Sequence, residues 1–287
     1  MCLFKNNRST AHKVLLSNRK WPYSKQNFKR VQNILRDLEW VTPRESQLYE
    51  LLYDLLQCEE ERNLIEELLR KVIFLSDDDM RSKVGEIADV ILNQWKCSEN
   101  DTVIVGAKNN DSADGGDVFI YYLRNYLGWK ESRVRTTYNI LSEGEYITRV
   151  IIADDFIGTG KRMHEVISPI KGEYRNLQVY FVSVGMMESI VKKKYPAILK
   201  CTHYVPVIVS PGMNHEKDKR VALMTQIESY LAQRWKDLSL DSYHLGYKKS
   251  GALYWNRTLR VPNNVYPVFW WGAKADGTPF NPIMSVK

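Results

Sequence analysis

Closely spaced cysteines are absent from this sequence, whose four cysteines stand far apart at Cys2, Cys58, Cys97 and Cys201. Zinc knuckles and dithiol redox motifs both need cysteine pairs a few residues apart, so these two kinds of site are excluded. Cysteines without close partners favour a reduced, intracellular protein rather than a disulfide scaffold.

Long apolar runs and repeats are absent as well. No stretch approaches the roughly 20 apolar residues that cross a bilayer, and the basic segment 1–20 lacks the apolar core of a signal peptide. The sequence contains no internal repeat and no low-complexity segment. A cytoplasmic protein without membrane association is therefore expected.

The composition is that of a globular chain with a moderately basic surface. The 287 residues exceed one common domain, and 44% of them are hydrophobic, enough to bury a core. Lys and Arg number 41 against 34 Asp and Glu, which gives a net charge of +7. This excess favours acidic partners such as nucleic acid or phosphorylated ligands, but a merely solvated basic surface accounts for it equally well.

The two ends of the chain differ in pattern from its middle. Residues 1–97 are predicted to be helical, because apolar residues such as Leu64 and Leu68 recur at spacings of three and four. The run Ser76-Asp77-Asp78-Asp79 is typical of a helix cap and first turn rather than of a metal site. Residues 241–287 are rich in Tyr, Trp, Gly, Pro and Asn, and so apolar a tail is expected to pack over the rest of the chain or over a partner.

Residues 98–240 predict an α/β domain with a parallel sheet. Short apolar runs bounded by turns alternate with helical segments, which indicates strands joined by crossover helices. A helix with Val221, Met224 and Trp235 on one side is expected to close the domain. The expected strands are 102–106, 134–138, 149–154, 178–184 and 203–209.

The most informative stretch follows the third expected strand, where two carboxylates precede a Gly-Thr-Gly turn and a helix. Ligands of open α/β sheets bind at the carboxyl ends of the strands, so Asp154 and Asp155 would accept hydrogen bonds there from two neighbouring ribose hydroxyls. Gly158 and Gly160 would let the backbone approach a phosphate, and the next helix would present amides and the positive end of its dipole. The stretch therefore predicts a cradle for a ribose 5-phosphate.

This order of strand, Asp-Asp, Thr-Gly and helix resembles the fingerprint of the type I phosphoribosyltransferases. The resemblance implies a Mg²⁺-assisted displacement at the anomeric carbon of phosphoribosyl diphosphate, with Asp154 and Asp155 as catalytic residues that hold the ribose hydroxyls. The residues that would hold the 5-phosphate are those of the turn and the helix start, Ile157, Gly158, Thr159, Gly160, Lys161 and Arg162.

A second, partial match follows the first expected strand. Lys108 and Asn109 stand where the family places its diphosphate-binding loop, so Lys108 would face the diphosphate. The nearby Asp111 and Asp114 would repel a diphosphate unless a metal intervenes. An ordinary turn with helix-capping Asp and Ser explains this segment equally well.

Two positions depart from the family pattern. Purine-using members often carry an acidic residue just before the Thr-Gly pair, where this chain has Gly158, so a proton-transferring group is missing there. The family commonly places a hydroxyl two residues after that pair, where this chain has Arg162, whose guanidinium is itself able to bind phosphate. Phosphate binding is therefore expected, and turnover is left open.

The helical beginning, the Asp-Asp turn and the aromatic ending together resemble the phosphoribosyltransferase-like proteins of bacterial conflict and antiviral systems, some of them associated with retrons. The resemblance implies an effector within a complex, held in check by a reverse transcriptase and its small DNA or RNA. It also implies a hood over the sheet, in which Phe269, Trp270 or Trp271 would stack on a base while Asn263 and Asn264 bind its edge. The alternative is that these aromatics seal the core or an interface with the helical part.

Three hypotheses about function follow. The first is a phosphoribosyltransferase-fold enzyme, or an enzyme-derived toxin, that acts on a ribosyl-phosphate compound or nucleotide in bacterial defence. The second is a catalytically inactive subunit that senses a nucleotide or binds nucleic acid. The third is a structural subunit whose basic patches hold RNA or DNA. The fold alone does not choose among them, because one fold hosts many functions.

Overall fold

The structure is a computed structural model. It describes residues 24–108, 115–135, 146–173, 176–188, 198–214 and 218–284. Asn109 of the predicted diphosphate loop lies outside the described residues, as do Asp111 and Asp114 and the greater part of the second expected strand.

The N-terminal part is helical with one short strand. Its elements are α1 (Lys25–Asp37), a 3₁₀ turn (Glu39–Arg44), α2 (Glu45–Tyr49), a π turn (Glu50–Leu55), α3 (Glu59–Arg70), β1 (Ile73–Leu75), α4 (Asp77–Asp89) and a second π turn (Val90–Gln94). The expected cap of α4 is confirmed: Ser76 Oγ accepts the Asp79 N–H at 3.1 Å, and Asp79 Oδ2 accepts the Ser76 N–H at 2.9 Å. The acidic run therefore starts a helix.

The middle of the chain forms the predicted parallel sheet. Its elements are β2 (Thr102–Gly106), α5 (Gly115–Leu127), β3 (Val134–Arg135), β4 (Arg149–Ile157), α6 (Lys161–Glu173), β5 (Gln178–Met187), β6 (Thr202–Tyr204) and β7 (Val207–Val209). The strands run in the order β3-β2-β4-β5-β6, β7 also pairs with β5, and every pair is parallel. The α/β fold with flanking helices is thus confirmed.

The prediction of one continuous strand at 203–209 is wrong. It is divided into β6 and β7, which pair with successive parts of β5. Pro206 stands between them and has no N–H to donate to a ladder, so the strand breaks there.

The C-terminal part contains α7 (Arg220–Glu228), β8 (Arg234–Trp235), β9 (Leu238–Ser239), α8 (Leu240–Tyr243) and β10 (Tyr254–Asn256). The expected long helix is wrong beyond Glu228, because Trp235 lies in the antiparallel hairpin of β8 and β9. The chain after α7 pairs instead with the tail: the Ala232 N–H donates to Ala273 O at 3.0 Å, and Trp271 Nε1 donates to Ala232 O at 3.0 Å.

One hydrophobic core joins all three parts of the chain. Strand β10 of the tail pairs in parallel with β1 of the helical part. The largest cluster of buried side chains includes Leu68 from α3, Ile151 and Val182 from one face of the sheet, and Trp271 from the tail. The other face of the sheet, which carries Ile152, packs against α6. The domain boundaries at 97/98 and 240/241 stay a prediction.

Among the helices of the described ranges, none combines the length and the apolarity needed to span a bilayer.

Candidate functional site

A cleft of about 820 Å³ opens at the carboxyl end of β4. This volume falls within the range of about 300–1,000 Å³ that is usual for small-molecule sites. The predicted site residues that line the cleft are Lys108, Asp154, Asp155, Ile157, Gly158, Thr159, Gly160, Lys161, Arg162, Asn263, Asn264 and Trp270. The Asp-Asp pair, the glycine turn and part of the tail therefore meet in one place.

The two carboxylates lie within the last four residues of β4, which extends to Ile157 rather than ending at residue 154 as expected, and they have different surroundings. Asp154 is only 5% exposed, and its Oδ1 lies 3.7 Å from the Arg162 guanidinium. Asp155 is half-buried, and its carboxylate lies so close to Gly115, the first residue of α5, that a Cβ there would overlap it. Asp155 therefore faces the positive end of the α5 dipole, which stabilises its negative charge.

A buried tyrosine from the tail lies behind this pair. Tyr254 stacks on Phe156, with ring centroids 4.7 Å apart and planes at 17°. Burial, reinforced by the negative charge of Asp155, raises the pKa of Tyr254 well above its ordinary value. The phenol therefore stays protonated, and it supports the Asp-Asp turn as a neutral group.

The turn after β4 has the geometry expected of an anion cradle. Gly160 has a φ of 73°, a left-handed conformation that glycine adopts without steric cost. The His164 N–H donates to Gly160 O at 2.9 Å, so α6 begins immediately after the turn. Lys161 and Arg162 are exposed in the first turn of this 13-residue helix, where the positive end of the helix dipole favours an anion.

Lys108 lies at the end of the neighbouring strand β2 and is almost fully buried. Its Nζ is 2.5 Å from Asp117 Oδ1 and 2.6 Å from Asp117 Oδ2, on helix α5. The lysine therefore stands in the cleft as predicted for a diphosphate contact, but it is held by a carboxylate. A ligand phosphate would compete with Asp117 for this cation.

The tail covers the cleft through a close contact that the sequence did not reveal. Asn264 is 6% exposed, and its Nδ2 donates to Ser250 Oγ at 2.9 Å. Its side-chain amide lies directly over Gly158, so that a Cβ at Gly158 would overlap the amide atoms. The amide group thus occupies the space beside the Thr-Gly pair where an acidic side chain was noted as missing, and an amide does not accept a proton at neutral pH.

The three aromatic residues predicted to stack on a base differ in position. Trp270 lines the cleft, although its Nε1 donates to Val265 O at 2.9 Å and the residue is only 3% exposed. Phe269, beside Tyr266, and Trp271 are both fully buried in the core, so the stacking hypothesis is wrong for these two residues. Their rings have no face left for a ligand because core side chains cover them.

Further lining residues were not predicted. Among them, Tyr243, Tyr247 and Arg260 line the cleft from the tail. Their segments show neither helical nor strand periodicity, so only the richness of the tail in Tyr and other aromatic residues indicated the two tyrosines, and nothing indicated Arg260.

A family model described as PRTase-CE matches residues 56–286, which include every described residue of the cleft. The chain belongs to the PRTase-CE family. The phosphoribosyltransferase-like fold expected from the Asp-Asp turn is thereby confirmed, and the matched region also includes residues 56–97 of the helical part and nearly all of the tail. None of the curated proteins matches the chain.

Solved structures similar to this PRTase-CE protein include three phosphoribosyltransferases. The Helicobacter pylori xanthine-guanine-hypoxanthine enzyme is 10% identical at a TM-score of 0.33, covering 48% of this chain and 83% of its own. The Schistosoma mansoni hypoxanthine-guanine enzyme in complex with IMP is 14% identical at a TM-score of 0.33, and the match covers 51% of this chain and 71% of that enzyme. The Aeropyrum pernix orotate enzyme is 15% identical at a TM-score of 0.32, and the match covers 46% of this chain and 72% of that enzyme.

The implied Mg²⁺ can be tested against the donors of this PRTase-CE cleft. Asp154 and Asp155 supply carboxylate oxygens, which Mg²⁺ prefers, but the described ranges contain no group of three His, Cys, Asp or Glu side chains placed to hold a metal. Mg²⁺ is commonly bound by one or two carboxylates together with substrate phosphates. The two aspartates therefore fit a Mg²⁺ ion that arrives with a phosphorylated ligand.

A buried carboxylate at the end of α7 is expected to make stability depend on pH. Glu228 is 1% exposed, accepts the Leu245 N–H at 3.0 Å and lies 2.7 Å from His244 Nδ1. Loss of hydration on burial raises its pKa above the ordinary value of 4.5. The folded state therefore holds this proton to higher pH than the unfolded state, so the contribution to stability is greatest below pH 4.5 and is lost as pH rises through the raised pKa.

Replacing Glu228 by glutamine tests this dependence. The glutamine does not titrate. As pH rises above about 4.5, the unmodified protein should therefore lose free energy of unfolding relative to Glu228→Gln. Urea unfolding of both proteins between pH 4.5 and 7 measures the difference. Parallel curves for the two proteins would show that Glu228 is not the titrating group.

Proposed function

We propose that the cleft binds a ribosyl-phosphate compound or nucleotide. The phosphate would be held by the turn from Ile157 to Arg162, and the sugar hydroxyls by Asp154 and Asp155. The observation that carries the proposal is the meeting of two carboxylates and a glycine turn at a helix start, in one cleft at the carboxyl end of a parallel strand. This is where open α/β sheets bind ligands, and the amides of the turn suit a phosphate.

The same arrangement suits glycosidic-bond chemistry at the anomeric carbon of phosphoribosyl diphosphate. Lys108 would contact the departing diphosphate, and Mg²⁺ bound with that group would neutralise part of its charge. Asp154 and Asp155 would fix the ribose so that the anomeric carbon faces the tail. Asn264 can orient an acceptor but cannot remove its proton, so the acceptor would be one that is nucleophilic without a general base.

A second candidate is a nucleotide sensor without turnover, and two contacts favour it. Lys108 is paired with Asp117, and Arg162 lies near Asp154, so each of these two cations of the cleft already has a carboxylate beside it. Such pairs neutralise the site internally and exchange for ligand groups on binding.

The two candidates are distinguished by incubating the protein with phosphoribosyl diphosphate, Mg²⁺ and a nucleotide mixture. Diphosphate release and a new product by mass spectrometry indicate the enzyme, and ligand binding without them indicates the sensor.

Ligand binding provides the direct test of the site. Asp154→Asn and Asp155→Asn each remove one charged hydrogen-bond acceptor, which contributes about 1.5–3 kcal/mol. We expect each substitution to weaken binding of ribose 5-phosphate or a nucleoside 5′-monophosphate tenfold or more in calorimetric titrations. Asp78→Asn, an exposed carboxylate in the first turn of α4, is the matched control and should bind as the unmodified protein does. No binding by the unmodified protein, or equal binding by all four proteins, would contradict the proposal.

The proposed biological role is that of an effector in bacterial antiviral defence, in a complex with a reverse transcriptase and its small DNA or RNA. The support is the resemblance of the helical beginning, the Asp-Asp turn and the aromatic ending to such proteins. Cells that carry the complete gene cluster should resist phage, and Asp154→Asn together with Asp155→Asn should abolish resistance while leaving the protein folded. Resistance that persists with both substitutions would favour the structural subunit that holds RNA or DNA.

A further inference from the structure

Two arginines where the helical part meets the tail have no carboxylate partner among the described residues. Arg44 ends the 3₁₀ turn Glu39–Arg44, and Arg257 directly follows β10. Neither side chain forms an ion pair within the described ranges, whereas Arg30, Arg62 and Arg70 of the helical part each do. The positive charges of Arg44 and Arg257 are therefore not neutralised by the described part of the chain.

Both arginines lie on the Trp255 side of β10. The Arg44 guanidinium covers the Trp255 ring, with its central carbon 4.4 Å from the ring centroid. Arg257 follows Trp255 by two residues, and its N–H donates to Leu75 O of β1 at 3.0 Å, so the strand pairing continues to this residue. Side chains two residues apart on a strand point to the same side. The two guanidinium groups are thus on one side of the strand, beside the same indole ring.

The two arginines are close enough for their charges to repel each other. Arg44 is half-buried, and its Nη1 donates to Trp40 O at 3.0 Å. Loss of hydration lowers the pKa of Arg44, and the positive charge of Arg257 lowers it further, with no carboxylate of the described residues to offset the effect. An anion held by both guanidinium groups would remove this repulsion and compensate the partly desolvated charge of Arg44.

Aromatic rings surround the Arg44 guanidinium. Trp40 and Phe74 stack with ring centroids 5.6 Å apart, and these centroids lie 5.8 Å and 5.4 Å from that of Trp255. Trp255 Nε1 is buried and donates to no acceptor among the described residues. Apolar rings exclude water, which strengthens the attraction between a guanidinium and an anion. A negatively charged group that accepts hydrogen bonds therefore suits these surroundings.

Phosphate is the anion that fits two adjacent arginines. A guanidinium presents its N–H groups as a planar fork that matches phosphate oxygens, and two such forks neutralise a dianion. A carboxylate carries a single charge, which one arginine would neutralise. Asp77 accepts the Thr258 hydroxyl beside Arg257 at 2.8 Å, yet it forms no ion pair with either arginine. This neighbouring carboxylate of the chain therefore does not serve as their counterion.

We propose that Arg44 and Arg257 bind a dianionic phosphate group beside the Trp255 ring, at a site separate from the cleft. The group would belong to free phosphate or to a small phosphate monoester. Tyr254, the residue before Trp255, stacks on Phe156 at the cleft, and neighbouring residues of a strand point to opposite sides. Strand β10 therefore separates the two sites. This inference goes beyond the proposed function and does not depend on it.

The indole N–H of Trp255 provides a site-specific test, because it belongs to the ring that Arg44 covers. Nitrogen–proton correlation spectra of the full chain are recorded while inorganic phosphate is added, and sodium chloride of equal ionic strength is added in parallel. The signal is identified by its loss in Trp255→Phe. We expect it to shift saturably with phosphate and not with chloride. A titration with ribose 5-phosphate then distinguishes the two sources: an equal shift indicates a phosphate monoester, and no shift indicates the free ion.

Two variants test the arginines themselves. Arg257→Gln removes one cation from an exposed position, so the fold should be retained and the dissociation constant for phosphate at this site should rise about tenfold or more. Arg44→Lys keeps the charge but loses the planar fork, and it should weaken binding in the same direction. Arg234→Gln is the matched control, because Arg234 is also exposed and also stands near a tryptophan in a short strand. It should leave the phosphate titration unchanged.

Lys161→Gln/Arg162→Gln separates this site from the cleft. The double substitution removes two cations from the phosphate turn, so it should weaken binding in the cleft and leave the shift of the Trp255 signal unchanged. A shift that disappears in this variant but persists in Arg257→Gln would refute the inference. A Trp255 signal that phosphate moves no more than chloride does would refute it as well. If ligands fail to bind in the cleft while the Trp255 signal still responds, the proposed function fails and this site stands.

Discussion

Gly158→Ala is expected to destabilise the protein and to weaken ligand binding, although it adds a single methyl group. Gly158 is buried, and a Cβ on it would overlap the side-chain amide of Asn264. The amide cannot turn away freely because its Nδ2 donates to Ser250 Oγ at 2.9 Å. Overpacking of this kind costs about 1–3 kcal/mol. The tail or the phosphate turn must move, so binding should fall about tenfold, equivalent to about 1.4 kcal/mol.

A double-mutant cycle isolates this contact. Asn264→Ala alone removes the hydrogen bond to Ser250 and should cost about 1 kcal/mol. In the Gly158→Ala background the same change makes room for the methyl group and should restore stability, giving a coupling energy of about 0.5–3 kcal/mol. Urea unfolding measures the four proteins, and titration with a nucleoside monophosphate follows binding.

Gly172 provides the control for the added methyl group. It lies in α6, and a Cβ on it would meet nothing within 4 Å. Gly172→Ala should stabilise the protein by about 0.5–1 kcal/mol, because alanine is the better helix former. A Gly158→Ala protein with the stability and affinity of the unmodified protein would show that Asn264 does not constrain the turn.

The strand, turn and helix around Gly160 were predictable because their determinants are neighbours in sequence. The apolar strand, the two aspartates, Gly160 and the helix lie within one short segment, and each acts through local backbone geometry. The cap at Ser76 was predictable for the same reason. A pattern confined to a short segment predicts the local structure well, because few contacts with distant residues are needed to determine that structure.

The tail was not predictable in the same way. Trp235 continues the apolar spacing of α7, yet it lies in a hairpin because the chain after α7 pairs with residues near Ala273. The contact between Asn264 and Gly158 joins residues far apart in sequence, and no periodicity announces it. The burial of Phe269 beside a cleft lined by Trp270 depends on packing alone. Tertiary contacts thus decided the positions that local spacing left open.

A fragment of residues 98–240 is expected not to fold by itself, although it contains the whole parallel sheet. It lacks β10, whose Tyr254 stacks on Phe156, and α4, which packs against α5. One face of the sheet would keep α5 but lose the rest of its cover, which would expose part of a cluster that now includes the fully buried Ile151 and Val182. Exposing a large apolar side chain costs about 1.5–3 kcal/mol, and a few such losses cancel a net stability of about 5–15 kcal/mol.

The measurement is chemical unfolding followed by circular dichroism. The fragment should be insoluble or should unfold without a cooperative transition, whereas residues 24–284, which keep every described element, should show a single transition. If residues 98–240 are a separate domain, the fragment should fold. If the three parts of the chain share one core, it should not. A sharp transition in the fragment would mean that the sheet and its own helices suffice, and that the helical part and the tail are separate additions. Loss of the transition would mean that the tail serves at once as a wall of the cleft and as part of the core, so that closing the cleft and folding the chain depend on the same contacts.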